Sequence, residues 1–376
     1  MRQYSAYIGL DVHKDTIAVA VALPKGGEPI YRGEIAHTTK ALTKLLKRLT
    51  ASYGDSLAFC YEAGPTGYDL YRWLVGKGHH CEVVAPSLIP KKPGDRIKTD
   101  RRDAIGLARM FRIGDQTSVW VPEKDQEAMR DLTRVREDVK SVETHARQRL
   151  SSFLLRHSKR FPGNCRSTQG YLDWLEGLTF ESPTTQIVFQ EYLDLVKTTQ
   201  ARVADIEKEM ERALANWSLA PVVKSLRALR GVDFLTAMTT MAELGDITRF
   251  TSPRQLMAFL GLVPSEESSG LIQKRGGITK TGNGHVRRVL IESAWSYRFP
   301  ARLTAHLRKK ADGASPEVKS IAWKAQKRLC GRYRHLLNAG KSRNQVTTAI
   351  ARELIGFIWA IAKEVQPKAV MAKAYI

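Results

Sequence analysis

Three β-prone apolar runs fill the first 36 residues, and the spacing between them dictates how they pair. Tyr7-Ile8-Gly9-Leu10-Asp11-Val12 and Thr16 to Leu23 are separated by the polar turn His13-Lys14-Asp15, and Ile30 to Ala36 follows Gly26-Gly27. Apolar runs joined by short turns of this kind form an antiparallel meander. The first strand also delivers a carboxylate, Asp11, close to its end. A helix comes next, with Thr38 or Thr39 as N-cap and Leu42, Leu45, Leu46 and Leu49 on one face. The buried strand Leu57 to Glu62, a helix from Tyr68 to Val75 and a strand from Cys81 to Pro86 follow. After a basic loop (Lys91, Lys92, Arg96, Lys98), a helix starts near Thr99 and carries Asp100 and Asp103. This is the element order of an RNase H-like nuclease core, an α/β fold.

The chain has 376 residues, and single cores stop growing near about 250–300, so two or three domains are expected. Against 38 Asp+Glu stand 60 Lys+Arg, a net charge of +22 with a sequence pI near 9.9. That imbalance points to a polyanionic partner, nucleic acid first. No run of 18 or more apolar residues and no signal-peptide pattern occurs, so neither a membrane span nor export is expected. Cys60, Cys81, Cys165 and Cys330 are scattered, without a C-x-x-C pair or clustered histidines. This argues against structural zinc and for a reducing compartment, the cytoplasm.

Residues 123–157 are charged and helical, with Leu132, Val135, Val139, Val142, Ala146 and Leu150 at the three- and four-residue steps of a coiled coil. Residues 186–215 repeat the pattern with Tyr192, Val196, Thr199, Val203, Ile206, Met210 and Ala213. An antiparallel arm or a dimerisation element is expected; two ordinary helices of a bundle are the alternative. Phe161-Pro162-Gly163 to Pro183 is an irregular insert between them. Leu226 to Asp233, leading into Thr236 to Leu244, reads as a helix, a glycine turn and a second helix. Such a turn offers N–H groups to a phosphate, or is a plain helical hairpin. Phe259 to Gly270 and Lys274 to Arg288 read as a long, basic, glycine-rich loop suited to a phosphodiester, with Arg275, Lys280, Arg287 and Arg288 as its phosphate contacts. The tail, 301–366, is helical and basic: Arg308, Lys319, Lys324 and Lys327 are interleaved with Trp323 and Tyr333, and Ile350, Leu354 and Ile358 belong to a final packed helix.

Asp11 and Glu62 lie at the ends of strands that are neighbours in such a core, and Asp100 and Asp103 share one helix face. Four converging carboxylates repel one another unless cations sit between them. Magnesium takes hard oxygen ligands, and a pair of ions stabilises both the attacking and the leaving oxygen of a phosphodiester displacement. For Asp100 and Asp103 the alternative is a helix cap and a first-turn acid.

Ile8-Gly9-Leu10-Asp11-Val12-His13-Lys14, Tyr61-Glu62-Ala63-Gly64 and Lys98-Thr99-Asp100-Arg101-Arg102-Asp103-Ala104 resemble the three acidic motifs of the DEDD recombinases. These enzymes are encoded by bacterial insertion sequences of the insertion sequence one-ten family, with Piv-type DNA invertases as relatives. Leu262-Val263-Pro264-Ser265-Glu266-Glu267-Ser268-Ser269-Gly270 with Gly276-Gly277-Ile278-Thr279-Lys280-Thr281-Gly282-Asn283 is similar to that family's second, transposase-type domain. The resemblance implies a RuvC-like domain (1–118) in which Asp11, Glu62, Asp100 and Asp103 bind Mg2+, then a coiled-coil oligomerisation segment (119–220). A mainly α transposase domain with a basic helical tail (221–376) would follow, supplying a serine that attacks a DNA phosphate and holds it covalently. Ser269, directly before Gly270, matches the nucleophile position; Ser268 and Ser265 lie close by. A noncoding guide RNA pairing with target and donor DNA, and a homo-oligomer (dimer or tetramer), are implied as well. The expected protein is thus an RNA-guided DNA recombinase. Its rival is a Holliday-junction-resolvase-like metal-dependent endonuclease that uses water as nucleophile.

Overall fold

The structure is a computed structural model that describes residues 3–86, 89, 99–164, 168–269 and 272–366. Lys91, Lys92, Arg96, Lys98, Cys165 and Gly270 lie outside the described residues. The chain separates into two compact units, Met1–Pro122 and Glu123–Ile376.

The first unit contains β1 (Ala6–Val12), β2 (Thr16–Ala22), β3 (Ile30–Ala36), α1 (Thr39–Tyr53), β4 (Leu57–Glu62), α2 (Asp69–Gly76), β5 (His80–Val84) and α3 (Asp100–Ile113). Its five strands form one sheet in the order β3-β2-β1-β4-β5. β1, β2 and β3 pair antiparallel, as the short turns require, while β1, β4 and β5 pair parallel across helical crossovers. This mixed α/β unit is consistent with an RNase H-like N-terminal domain. The two faces of the sheet differ. One packs Ile8, Leu10, Ile17 and Phe59 against Leu42, Leu45 and Leu74 of α1 and α2. The other is lined with small residues: Ala18, Ala20 and Ala22 meet Ala104 and Ala108 of α3. There α3 lies so close to β1 that a Cβ on Gly9 would stand 2.4 Å from the Ala108 nitrogen and 2.5 Å from the Ala104 oxygen. Gly9 is therefore the residue that lets α3 lie against the sheet.

The second unit begins with α4 (Lys124–Arg156), α5 (Gln169–Glu176) and α6 (Pro183–Ala215). α4 and α6 run antiparallel. Arg136 meets Glu207 at 2.9 Å, Arg147 meets Gln200 at 3.1 Å, and Phe153 stacks by Phe189 with ring centroids 6.3 Å apart. α6 buries Val196, Thr199, Val203 and Met210 of the expected stripe, and α4 follows it only in part: Ala146 and Leu150 are buried, but Val135 and Val142 are 47% and 51% exposed. The α4 face turned inward carries Met129, Thr133, Glu143, Ala146 and Leu150. Its centre is polar because the buried Glu143 carboxylate is neutralised by Lys140 at 2.6 Å and Arg147 at 2.7 Å. At the base of the pair, Met129, Met210 and Leu214 join the main core of this unit.

That core is built from α7 (Ala220–Leu226), α8 (Phe234–Leu244), α9 (Pro253–Phe259), α10 (Gly284–Ala294), α11 (Ala305–Lys310), α12 (Pro316–Asn338) and α13 (Arg343–Val365). α13 is the one described helix long and apolar enough to cross a membrane. Its Val346, Ile350, Leu354, Ile358 and Ile361 are instead fully buried in the protein core. The stretch 264–278, expected as an open loop, is a two-stranded hairpin of β6 (Pro264–Ser269) and β7 (Ile272–Ile278). β6 is exposed throughout and β7 is exposed from Gln273 to Gly277, so cross-strand hydrogen bonding rather than an apolar face defines the hairpin there.

Candidate active site

The sheet register places the acids. Leu10 of β1 pairs with Tyr61 of β4, so the next residues on these parallel strands are Asp11 and Glu62. Thr99 caps α3 by accepting from the Arg102 nitrogen, which leaves Asp100 and Asp103 as the acids of the first turn. With α3 seated on Gly9, that turn comes to the end of β1. Asp11 Oδ2 and Asp100 Oδ1 stand 3.3 Å and 3.4 Å from the same atom, His13 Nε2. Ligand-capable atoms of Asp11, His13 and Asp100 all lie within 4.8 Å of one another. Glu62 and Asp103 are not members of this close group. Asp103 still acts on it: burial pushes the Asp11 carboxyl above its ordinary range, the Asp103 and Asp100 carboxylates push it further, and His13 opposes them. Asp11 Oδ2 is buried and accepts no well-formed hydrogen bond among the described residues.

A buried carboxylate oxygen that meets one poorly aligned imidazole at 3.3 Å and two neighbouring carboxylates is only partly compensated. It fits a hard cation, for which these residues supply oxygen ligands and one imidazole. His13 had no role in the sequence expectations. The available signal was its position two residues after Asp11, on a turn that brings it back toward the strand end; its main chain is fixed by a 2.9 Å bond to the Thr16 carbonyl.

The three candidate serines, Ser265, Ser268 and Ser269, sit on β6, all exposed. Ser268 Oγ donates to Glu266 Oε1 at 2.8 Å, and Arg275 Nε donates to Glu266 Oε2 at 3.3 Å. The Ser268 hydroxyl and the Arg275 charge hold the Glu266 carboxyl below its usual range. Ser269 is the last residue of β6, opposite Ile272. Because side chains alternate along a strand, Ser268 shares a face with Glu266, and Ser269 lies on the opposite face with Glu267.

The base of the hairpin is clamped by two crossing glycine turns. Gly261 (φ +60°) and Gly282 (φ +68°) both need the left-handed region, and a Cβ on Gly282 would stand 1.9 Å from the Phe259 oxygen. Arg287 closes the clamp by donating to the Leu260, Thr281 and Gly282 carbonyls at 3.0, 2.5 and 3.3 Å. Arg288 is paired with Glu137 at 2.9 Å and Glu292 at 3.1 Å. Of the four cations expected to contact phosphate, Arg287 thus has a structural duty and Arg288 is neutralised. Arg275 is engaged by Glu266, and Lys280 is exposed on the turn at φ +57°. Lys280→Gln should lower DNA affinity and flatten the salt dependence by roughly one phosphate contact, a slope change near 0.9. Arg287→Gln should instead lower the melting temperature. Equal salt slopes for wild type and Lys280→Gln would remove Lys280 from the interface.

The turn 227–233, expected as a possible phosphate cradle, is occupied by its own acid. Asp233 Oδ1 accepts from the Thr236 nitrogen at 2.9 Å and caps α8, so a carboxylate already fills that helix N-terminus. The three cysteines among the described residues, Cys60, Cys81 and Cys330, are free and buried.

The first unit is thus an α/β sheet with acids at adjoining strand ends, and the second is a helical unit that displays an exposed serine hairpin. Residues 8–158 match the profile of the DEDD transposases of IS110 type, and residues 223–308 match that described as the transposase IS116/IS110/IS902 family. The chain is 49% identical over 361 residues to the putative transposase y4qE of Sinorhizobium fredii (strain NBRC 101917 / NGR234), covering 96% of this chain and 89% of the relative. It is 33% identical over 336 residues to the transposase for insertion sequence element IS1533 of Leptospira borgpetersenii, covering 88% and 96%. At 22% over 335 residues it is also similar to the pilin gene-inverting protein of Moraxella bovis, covering 88% and 83%. The class is therefore that of the transposases, enzymes that cleave and rejoin DNA. The chain belongs to the IS110 family of insertion sequence transposases.

Proposed function

We propose that this transposase recombines DNA through a covalent phosphoserine formed by Ser269, with Mg2+ at the acids and sequence choice made by a guide RNA. The observation that carries the proposal is the position of Ser269: exposed, at the end of a hairpin whose base is clamped, on the face away from the Glu266–Ser268 pair. In the reaction the Ser269 Oγ–phosphorus bond forms as a phosphorus–oxygen bond of the DNA strand breaks. The hydroxyl gives up its proton and the displaced strand end carries a hydroxyl away. The reverse attack by a strand hydroxyl restores the phosphodiester and the serine, so the bond is conserved and rejoining needs no nucleotide triphosphate. A serine hydroxyl is a weak nucleophile near neutral pH and requires activation. Asp11, Glu62, Asp100 and Asp103, as in a RuvC-like domain, would hold Mg2+, whose charge stabilises the attacking and leaving oxygens when it is bound. His13 contributes by orienting Asp11 and Asp100 about one imidazole nitrogen.

RNA guidance is supported by the net charge of +22, which suits two polyanions, and by the resemblance of the motifs. Strand exchange holds several breaks at once, which favours a dimer or tetramer. The test traps covalent adducts. Wild type, Ser269→Ala, Ser268→Ala and Asp11→Ala are incubated with Mg2+, RNA transcribed from the flank of the element and junction DNA, then denatured and resolved on a gel. An adduct lost with Ser269→Ala and retained with Ser268→Ala is expected. Cleaved DNA without an adduct, unchanged by either serine variant but abolished by Asp11→Ala, would mean a water-dependent endonuclease.

A further inference from the structure

The helical unit contains a built cavity around Trp323 that shares no residue with the hairpin or the acids. Its volume is about 480 Å3, within the ~300–1,000 Å3 of small-ligand pockets. It opens between the segment following α7, the stretch through α11 and the first half of α12. Leu303, Leu307, Ala311, Pro316 and Trp323 give it apolar walls. Bonds from side chains to distant backbone fix those walls: the buried Gln326 donates to the Arg302 carbonyl at 3.0 Å, Arg230 to Pro300 at 2.8 Å and Lys310 to Val232 at 2.6 Å. At the mouth the chain leaves large apolar groups in water, with Leu303 51% and nearby Phe299 50% exposed. Apolar surface of this kind beside a preformed cavity marks a place of recognition.

The surrounding charge indicates what is recognised. Arg230, Arg308 and Lys319 line the cavity, and Asp312 is the one acid among its lining residues. Lys327 Nζ stands 5.7 Å from the Trp323 ring centroid, and the Arg298 guanidinium stands 4.3 Å from that of Phe299. Aromatic faces among cations suit a ligand with a flat apolar part and an anionic part, which is a nucleotide whose base has left its stack. We propose that this cavity takes an unpaired base of single-stranded DNA, of the kind that strand exchange exposes. Trp323 is the stacking platform, and Arg308 and Lys319 contact the flanking phosphates. Intact duplex cannot use the site, because its base faces are covered by neighbouring pairs.

The test uses the full chain and fluorescence anisotropy with four probes: a labelled oligodeoxythymidylate of about 12 nucleotides, the same oligomer made abasic, the matching oligoribonucleotide, and a DNA duplex. Trp323→Ala should weaken binding of the oligodeoxythymidylate by ~10-fold or more and leave the abasic oligomer and the duplex unchanged. Because Trp323 is half-buried, Ser320→Trp serves as the second variant: it fills the mouth from an exposed position, removes no core atom and should give the same loss. Photocrosslinking with 5-iodouracil in the oligomer should label the peptide that contains Trp323. The proposal is overturned if Ser320→Trp binds like wild type, if the abasic oligomer loses as much affinity as the intact one, if RNA binds in preference to DNA, or if the crosslink maps elsewhere.

Discussion

Gly9→Ala is expected to abolish most DNA cleavage although residue 9 touches neither an acid nor a substrate. The added methyl would meet backbone atoms of α3 at 2.4 and 2.5 Å, and backbone cannot rotate away as a side chain can. Either α3 moves off the sheet or β1 buckles. Overpacking of this kind costs about 1–3 kcal/mol, and the backbone clash puts it at the upper end or beyond. The catalytic loss is larger, because α3 carries Asp100 to within reach of Asp11. A displacement of about an ångström between reacting groups costs on the order of 100-fold. Gly106→Ala is the control. It lies on the exposed face of the same helix with open space around it, so alanine should be neutral or stabilising by up to ~1 kcal/mol. Cleavage rates and thermal melts of the two variants decide the matter. A Gly9→Ala enzyme that cleaves at the wild-type rate would show that α3 does not need its close seat.

The second large effect is expected at Glu243. Its side chain is 1% exposed and sits where three segments meet. Arg134 of α4 donates to both carboxylate oxygens at 2.7 and 3.0 Å, and the Asn283 amide that caps α10 donates at 2.6 Å. Burial alone would raise its pKa, but the bonds from Arg134 and Asn283 and the charges of Arg134 and Arg130 outweigh it and hold the carboxyl below its ordinary range. Removing one partner of a buried pair typically costs about 3–5 kcal/mol, so Glu243→Gln should lower the denaturant midpoint markedly near neutral pH. The sign of the pH dependence follows from the depressed pKa. The contribution is complete above the unfolded carboxylate value of ~4.3 and is lost as pH falls through the folded value. Wild type and Glu243→Gln should therefore converge on acidification below about pH 4. Equal midpoints near neutrality would mean that the cluster adds nothing to the fold.

The order of the first unit was legible because its strands are apolar, short and separated by turns that leave little freedom. Thr38 and Thr99 announce their helices by the cap chemistry alone. Other features depend on contacts that no local pattern encodes. β6 reads Pro-Ser-Glu-Glu-Ser-Ser, with no apolar alternation and poor strand propensity, so its strand state comes from β7 and not from itself. The stripe on α4 was drawn through Val135 and Val142 because they keep the right spacing, yet an ion-paired Glu143 claims the inward face. Among the acids, placement at element ends was readable. The close approach of His13 was not, since it depends on how the turn folds back. Arg287 looked like a phosphate ligand by composition, and the three carbonyls that occupy it come from chain 5 to 27 residues away.

The alternation along β6 has an evolutionary corollary. Ser268 and Ser269 are chemically identical, and what separates them is parity: one lies an even number of residues from Glu266 and the other an odd number. Inserting or deleting a single residue in the strand would exchange the two hydroxyls between the faces while leaving the composition almost untouched. Homologous hairpins should therefore tolerate many substitutions at exposed positions such as Glu267, but changes in strand length only in steps of two.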